Sequence, residues 1–203
     1  KRRMFDHSAA MELAFLFGKR FETTGVNGKP LRFMGGILYM LSQYASSRIV
    51  AFTTTPTAGT LLDAVYPIWD YDTEAGNERI AFCGNGFLNS INKLANNQSN
   101  VQINFDGYVT VYGMKLMHWV FPQGEIYLKT HPLFNTHGRF TNDCFIFDPT
   151  AMRYRHMRNR DTQFKDNIQL PDADEKKGMW WGECGLELQH AKTSTWISNF
   201  VVP

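Results

Sequence analysis

The chain has 203 residues and a formal net charge of +2, which disfavours a dedicated nucleic-acid binder and suits one large domain or two small lobes. Three widely spaced cysteines without a CxxC pair exclude a disulfide scaffold and fit a reducing compartment. No apolar run approaches the roughly 20 residues of a membrane span, and residues 1–15 lack the pattern of a secretory signal.

Helical patterns dominate the first part of the chain. Apolar residues recur at helical spacing over residues 4–21, and glycines predict a loop at 23–30. A short apolar helix is expected after Gly35-Gly36. Thr60 is the predicted N-cap of the next helix, which Pro67 ends or kinks.

A short strand and an amphipathic helix follow. ERIAFCGNG predicts a strand that runs into a glycine turn, and FLNSINKLANN predicts a helix. The residues expected to face inward on this helix are Phe87, Leu88, Ile91 and Leu94. Together, these elements predict a compact α/β lobe over residues 51–100.

Strand patterns fill the rest of the chain. GYVTVYGMKLMHWVF reads as one long strand, and a tight turn at 122–124 joins it to EIYLKT in a hairpin. Further strands are expected at DCFIFD and MRYRHMR, followed by a polar loop over residues 159–178. The predicted architecture is therefore α+β.

The C-terminal segment alternates with a period of two, as in a strand with one buried face and one polar face. One side carries Trp180, Gly182, Cys184, Leu186 and Leu188. The other carries Trp181, Glu183, Gly185, Glu187 and Gln189. With a second strand at 195–201, this predicts a closing antiparallel hairpin whose polar face meets water or a neighbouring subunit.

No set of side chains matches a known metal or catalytic signature. The best ligand types are His118, His131, His137 and Cys144, but their spacing fits no zinc site, and we interpret them as ordinary histidines and a cysteine. Cys83 in FCGNG lies where a strand turns into a helix, which can lower the pKa of a thiol. Because no histidine and carboxylate partners are identifiable, we expect a buried cysteine there, and neither an enzyme nor a cofactor.

The glycines of CGNGF also lack the full dinucleotide pattern, and no Walker lysine follows them, so we interpret them as a backbone turn.

Two oppositely charged segments follow one another. The basic run MRYRHMRNR contains Arg153, Arg155, Arg158 and Arg160. The acidic loop contains Asp172, Asp174 and Glu175, without the ligand spacing of a calcium site. The arginines suit either nucleic-acid phosphates or the acidic loop, and we favour protein pairing, within or between subunits.

Several blocks resemble the major capsid proteins of tailed bacteriophages. AMELAFLFGKRFETTGVNGKPLRFMGGILYML resembles the family block E-x-x-x-L-F-G-K followed by R-x-M-G-G-I/L, and GMWWGECGLELQHAKTSTWISNF resembles the C-terminal block G-E-x-G-L-E-L … H/K … I-x-N. RIAFCGNGFLNSINKLA and YGMKLMHWVFPQGEIYLKTHPLF are similar to the segments between them. The blocks occur in the family order across nearly the whole chain.

The resemblance implies the Hong Kong 97 capsid fold. Residues 1–50 would contain the spine helix and the start of the core, and 51–100 an axial-domain-like α/β lobe. Residues 101–203 would form an antiparallel β-rich region, the peripheral domain with parts of the axial domain. The family's N-terminal arm and extended loop lie upstream of the spine helix and are not present in this chain, which starts at Lys1. We therefore expect an upstream segment that is removed or not included.

The function implied is that of a virion subunit that forms pentamers and hexamers of an icosahedral shell around double-stranded DNA, after assembly in the host cytoplasm. The implied partners are other copies and portal, scaffold and decoration proteins, with no membrane and no sequence-specific DNA binding. The residues proposed for contacts between subunits are Arg153, Arg155, Arg158, Arg160, Asp172, Asp174, Glu175, Trp181, Glu183 and Glu187.

Three alternatives stay open from the sequence. An encapsulin-like compartment would have the same fold with a protein cargo. A single-domain hydrolase would use Cys83 and stay monomeric, and a nucleic-acid-binding module would use MRYRHMRNR with an affinity that falls steeply with salt.

Overall fold

The computed structural model describes residues 2–97, 105–111, 114–136, 138–172 and 174–202. The chain forms two compact units. The first unit consists of Lys1–Tyr39 and Met152–Leu188, and the second of Met40–Ala151 and Gln189–Pro203. Each unit is therefore assembled from segments that are distant in sequence.

The described residues contain helices and strands throughout. The helices are α1 (Arg2–Phe17), α2 (Ile37–Tyr44), α3 (Ala58–Val65), α4 (Asn85–Asn97) and α5 (Pro132–Thr136). The strands are β1 (Phe21–Thr24), β2 (Pro30–Phe33), β3 (Ile49–Ala51), β4 (Glu78–Cys83), β5 (Phe105–Val111), β6 (Met114–Val120), β7 (Glu125–Thr130), β8 (Cys144–Phe147), β9 (Met152–His156), β10 (Gln163–Lys165), β11 (Met179–Trp181), β12 (Cys184–Leu188) and β13 (Thr195–Ser198). The predicted α+β class is confirmed.

The second unit is built on a seven-stranded sheet in the order β3-β13-β8-β4-β7-β6-β5. Two neighbouring pairs are parallel, β4 with β7 and β13 with β3. The other neighbours are antiparallel, so the sheet is mixed. The predicted strand at ERIAFC and the hairpin around residues 122–124 are confirmed.

Both faces of this sheet are buried at its centre. On one face, Ala81, Leu128 and Ile146 are in register and pack in a core cluster with residues of α3 and α4. Phe87, Ile91 and Leu94 of α4 are 1%, 0% and 5% exposed, and Leu88 is partly buried against the cluster, which confirms the predicted inward face. Each such side chain contributes about 1.5–3 kcal/mol by leaving water.

The opposite face of the sheet is aromatic. Phe145 stacks on Phe147 with ring centroids 5.0 Å apart, and Trp196 lies 5.6 Å from both Phe145 and Phe134. Because β8 contributes buried side chains to both faces, its sequence CFIF is apolar throughout and does not alternate with polar residues.

The first unit combines α1 with three strand pairs: β1 with β2, β9 with β12, and β10 with β11, all antiparallel. The Phe15 ring of α1 meets the Tyr154 ring of β9 edge-on at 6.1 Å. The thiol of Cys184 on β12 lies 3.8 Å from the sulfur of Met11. These contacts fix α1 against the β9–β12 pair.

The predicted closing hairpin is wrong. The alternating segment breaks at Gly182-Glu183, where the backbone N–H of Glu183 donates to the carbonyl of Arg160 over 2.8 Å. Its first half pairs with β10 and its second half with β9, whereas the last strand pairs with β3 and β8. An alternating sequence indicates that a segment is a strand, but it does not identify the strand with which it pairs. The partners β9, β3 and β8 are separated from these strands by long stretches of sequence.

The first helix ends four residues earlier than predicted, at Phe17, and Phe21 belongs to β1. A close backbone approach stops the helix. The N–H of Gly36 donates to the carbonyl of Gly18 over 2.8 Å, and a Cβ on Gly36 would lie 2.7 Å from the backbone nitrogen of Gly18. A side chain at position 36 would collide with this backbone, which explains the second glycine of the pair.

The N-cap of α3 is Thr57 and not the predicted Thr60. The hydroxyl of Thr57 accepts from the N–H of Thr60, and the hydroxyl of Thr60 accepts from the N–H of Thr57, which forms a capping box. The helix ends at Val65, immediately before a 3-10 turn that contains Pro67, so the predicted effect of that proline is confirmed.

Two further elements differ from the sequence predictions. The run over residues 107–121 forms parts of two paired strands, β5 and β6, and its residues 112–113 lie outside the described residues. The predicted polar loop over 159–178 contains β10, which pairs with β11. The first segment is one continuous run of strand-favouring residues, and β10 has only three residues, so neither pairing was visible in the local pattern.

Candidate assembly surface

Cys83 and Cys144 lie in the sheet core. They face each other across β4 and β8, both are fully buried, and the thiol of Cys83 donates to the carbonyl of Lys129 over 3.4 Å. Burial, together with the neighbouring Cys83, raises the pKa of the Cys144 thiol well above its usual value. Because the thiolate is the reactive form, this environment makes Cys144 a poor nucleophile, and the complete burial of Cys83 keeps reagents away from its sulfur.

We expect thiol reagents to leave both core cysteines unmodified in the native protein. Cys184 is only half-buried and should react before Cys83 or Cys144. Mass-spectrometric mapping after a short exposure to iodoacetamide measures this order, with a denatured sample as the control. Rapid native modification of Cys83 would contradict the assignment and would favour the hydrolase alternative.

The histidines considered as metal ligands have other surroundings. The Nε2 atom of His118 lies 2.9 Å from a carboxylate oxygen of Glu125, and its ring stacks on Tyr127. The Nδ1 atom of His131 accepts a hydrogen bond from the backbone N–H of Leu133. His137 lies outside the described residues. Within the described ranges, no group of three or more His, Cys, Asp or Glu side chains is arranged to hold a metal ion.

Buried charges in the second unit are held by backbone and hydroxyl groups. Arg79 is fully buried and donates to the carbonyls of Gly76, Glu78 and Ile68. Burial lowers the pKa of this guanidinium, partly offset by the charge of Asp148. Burial alone would raise the pKa of Asp148, but hydrogen bonds from Thr150 and the charge of Arg79 bring it below its usual value. These contacts brace the loops around β4.

Two arginines of the basic run meet carboxylates in β12 and immediately before it. Arg155 lies 2.5 Å from Glu187, and Arg160 lies 2.5 Å from Glu183. Arg153 is directly opposite Glu187 in the register, and Arg158 is exposed just beyond β9. Two of the arginines therefore have partners in their own subunit that sequence reasoning did not identify. As solvent-exposed ion pairs, they contribute little to the stability of the subunit.

Trp181 interacts with two cations of its own subunit. The ammonium of Lys165 lies 3.8 Å from the centre of the indole, and the guanidinium carbon of Arg160 lies 5.4 Å from it. The side chain is half-buried. Cation–π contacts of this kind stabilise the β10–β11 pair by about 0.5–1 kcal/mol each at exposed sites.

The acidic loop is solvent-exposed. Glu175 pairs with Lys177, and Asp166 lies 3.3 Å from Lys176. Asp172 and Asp174 are exposed. Contact of this loop, or of the basic run, with another copy stays a prediction.

Sequence reasoning missed the exposed apolar hairpin formed by β1 and β2. Phe21, Leu31 and Phe33 are 58%, 49% and 56% exposed. The signal was present as two short apolar-containing segments, FETT and PLRF, on either side of an Asn-Gly step. Four-residue strands are too short for a period-two pattern to be recognised.

Among the helices of the described ranges, none is both long enough and apolar enough to cross a bilayer.

Comparison with known proteins gives a consistent set of relatives. The family model of the SU10 major capsid protein matches residues 1–200. The chain is 28% identical over 212 residues to the major capsid protein of Pseudomonas phage PaMx41, an alignment that covers 97% of this chain and 48% of that protein. The chain thus spans about half the length of the curated relative it matches.

Two solved structures resemble the fold. A chain of the holo-SrpI encapsulin complex from Synechococcus elongatus PCC 7942 has a TM-score of 0.63 at 10% identity, covering 99% of this chain and 64% of that chain. A chain of Mycobacterium phage Patience has a TM-score of 0.51 at 9% identity, covering 95% and 64%. At such low identity the likeness concerns the fold alone.

Proposed function

This chain belongs to the SU10 major capsid protein family, and we propose that it forms a large part of a phage capsid subunit whose copies assemble into a closed icosahedral shell of pentamers and hexamers. The observation that carries the proposal is the family match over residues 1–200, which leaves almost no part of the chain for another function. The shell would enclose the double-stranded DNA genome, without sequence-specific contacts.

Such a shell would be held together by non-covalent contacts between subunits, which become mutually reinforcing once the shell is closed. Stable interfaces of permanent assemblies bury about 2,000 Å² or more, and each subunit of a shell has several neighbours. Weak individual contacts then act together, because a subunit held by many neighbours leaves only when all of them release it. A net charge of +2 allows many copies to pack closely without strong repulsion.

We assign the two units to the domains of a Hong Kong 97-like subunit. The first unit contains α1, the candidate spine helix, together with the β9–β12 pair, and is proposed as the peripheral domain. The second unit contains α4 and the seven-stranded sheet, and is proposed as the axial domain. Strands β5–β8 join β4 in one sheet, which supports assigning them to the axial domain together with residues 51–100.

An encapsulin-like shell is the second candidate, since the encapsulin likeness has a TM-score of 0.63. The family match and the phage relative favour the virion. The two functions differ in what the particles contain, which is genomic DNA in one case and a protein cargo in the other. Portal, scaffold or decoration proteins would accompany only the first. Assembly in the host cytoplasm before incorporation into the virion belongs to the same proposal.

Reversing Arg155 and Arg158 to glutamate should reduce assembly while leaving the subunit folded. Both side chains are exposed, so the loss of the Arg155–Glu187 pair should change the stability of the subunit very little. If these arginines face another copy, like-charge repulsion there weakens every equivalent contact in the shell. Electron microscopy and denaturant unfolding measure the two effects.

The matched control is the double change Arg139→Glu and Lys192→Glu, which alters the charge equally on the second unit. Normal shells with unchanged salt tolerance in the Arg155→Glu, Arg158→Glu variant would remove these arginines from the proposed contacts.

Sedimentation of the complete gene product tests the proposed function itself. We expect a megadalton species with a narrow size distribution. A species that sediments as a monomer at all concentrations would refute the shell.

A further inference from the structure

Two sulfur atoms meet where α1 packs against the β9–β12 pair. The thiol of Cys184 donates to the thioether of Met11, with 3.8 Å between the two sulfurs. The hydroxyl of Thr162 donates to the same thioether, also over 3.8 Å. Two donors therefore hold the Met11 sulfur in place, and the proton of Cys184 is directed at it.

The separation of these sulfurs matches one edge of a metal coordination tetrahedron. Two ligands that each lie about 2.3 Å from one ion, at tetrahedral positions, are about 3.8 Å apart. The sulfurs of Cys184 and Met11 have this separation already. An ion that replaces the thiol proton can therefore contact both sulfurs without any repacking of α1.

A third side chain faces Cys184 across the strand pair. Cys184 is directly opposite His156 in the β9–β12 register. The adjacent pair is hydrogen-bonded, since the backbone N–H of Met157 donates to the carbonyl of Glu183 over 3.0 Å. Because the two kinds of pair alternate, Cys184 and His156 form a non-hydrogen-bonded pair, in which facing side chains come closest.

The imidazole of His156 is held as ligating histidines are. Its Nδ1 atom lies 3.2 Å from the carbonyl oxygen of Met157, and a carbonyl oxygen only accepts, so Nδ1 carries the proton. In the neutral ring, the lone pair is then on Nε2, the second nitrogen. A backbone carbonyl on one ring nitrogen is a common support for a histidine that binds a metal through the other.

The three side chains are accessible to ions from solution. Met11, His156 and Cys184 all line a cavity of about 810 Å³, and His156 is exposed. Only two of them belong to the His, Cys, Asp and Glu types, of which no group of three in the described ranges is arranged for a metal. The third ligand is a thioether, and a thiolate with a thioether favours a soft ion such as Cu(I).

We propose that Met11, Cys184 and His156 bind one soft monovalent cation, Cu(I), through two sulfurs and the Nε2 atom. The ion displaces the Cys184 thiol proton, which is released to water, and no electron is transferred. Because the ligands come from α1, β9 and β12, the bound ion stabilises their packing in the first unit. The inference is independent of the proposed function.

Protection of Cys184 from iodoacetamide tests the site in the complete gene product. Cu(I) is supplied under nitrogen from a bathocuproine disulfonate buffer, which sets the free ion concentration, and mass spectrometry quantifies the alkylated Cys184 peptide. We expect Cu(I) to slow this alkylation at least about tenfold. Met11→Leu should raise the half-protecting concentration at least about tenfold, because leucine keeps the volume but lacks the sulfur.

The controls distinguish a built site from a reactive thiol. His156→Gln should weaken protection as Met11→Leu does, whereas Met34→Leu should not, since Met34 lines the same cavity but is not a proposed ligand. Protection that both ligand variants leave unchanged would show adventitious binding to the thiol and overturn the site. No protection by Cu(I), or equal protection by Zn²⁺ at the same free concentration, would also overturn it. Circular dichroism of the metal-free variants should match wild type.

Discussion

Trp196→Ala should destabilise the second unit by about 3–5 kcal/mol, a large fraction of the 5–15 kcal/mol that holds a typical domain together. The indole is 1% exposed and packs against Phe134 and Phe145 in the aromatic layer of the sheet. Its Nε1–H donates to a carboxylate oxygen of Asp143 over 3.1 Å. Truncation therefore leaves both a cavity and a buried acceptor without that donor.

Trp196→Phe separates the two contributions. It keeps an aromatic ring in the layer but removes the hydrogen-bond donor to Asp143. Burial raises the pKa of the Asp143 carboxyl group, whereas the hydrogen bonds from Asn199 and Trp196 act to lower it. We expect a smaller loss, about 1–3 kcal/mol. Denaturant unfolding followed by circular dichroism measures both variants. A loss below about 1 kcal/mol for Trp196→Ala would contradict the central position of this ring in the core.

Gly84→Ala should cost roughly 3 kcal/mol or more, since it forces a backbone apart. A Cβ on Gly84 would lie 2.1 Å from the carbonyl oxygen of Thr141 and 2.6 Å from its carbonyl carbon. The same carbonyl accepts from the N–H of Phe87 in the first turn of α4. The collision therefore disturbs the start of the helix that supplies the core residues Phe87 and Ile91.

Gly59→Ala is the matched control, because it is the same substitution in a helix with open space around it. The nearest atom to a Cβ on Gly59 is the Thr57 hydroxyl oxygen at 3.8 Å. Helix propensity then favours alanine by up to about 1 kcal/mol, so the two substitutions should change the free energy of unfolding in opposite directions. Equal, small effects would mean that the Gly84–Thr141 approach is looser than the structure indicates.

Elements with strong local signals were predictable from the sequence. The inward face of α4, strand β4 and the β6–β7 hairpin follow from helical spacing, from a strand ended by glycine, and from the PQG turn. The resemblance to a capsid family likewise depended on contiguous blocks. Strand partners were not predictable, since β13 pairs with β3 nearly 150 residues earlier and β12 pairs with β9 across an intervening hairpin.

The candidate assembly surface was likewise predictable from the sequence only in part. The charged residues were identified by composition, but the pairing of Arg155 with Glu187 depends on the β9–β12 register, which no local pattern contains. Within the exposed hairpin, residues 23–30 were predicted to form a loop and Phe21 to end the first helix, because the two strands have only four residues each. Exposure of Phe21 and Phe33 is a tertiary property, visible only when the packing of α1 is known.

Cryo-electron microscopy of the complete gene product tests the central claim most directly. We predict closed icosahedral particles of pentamers and hexamers, in which α1 and the seven-stranded sheet can be fitted into each subunit. Isolated, compact single subunits at every concentration would contradict it.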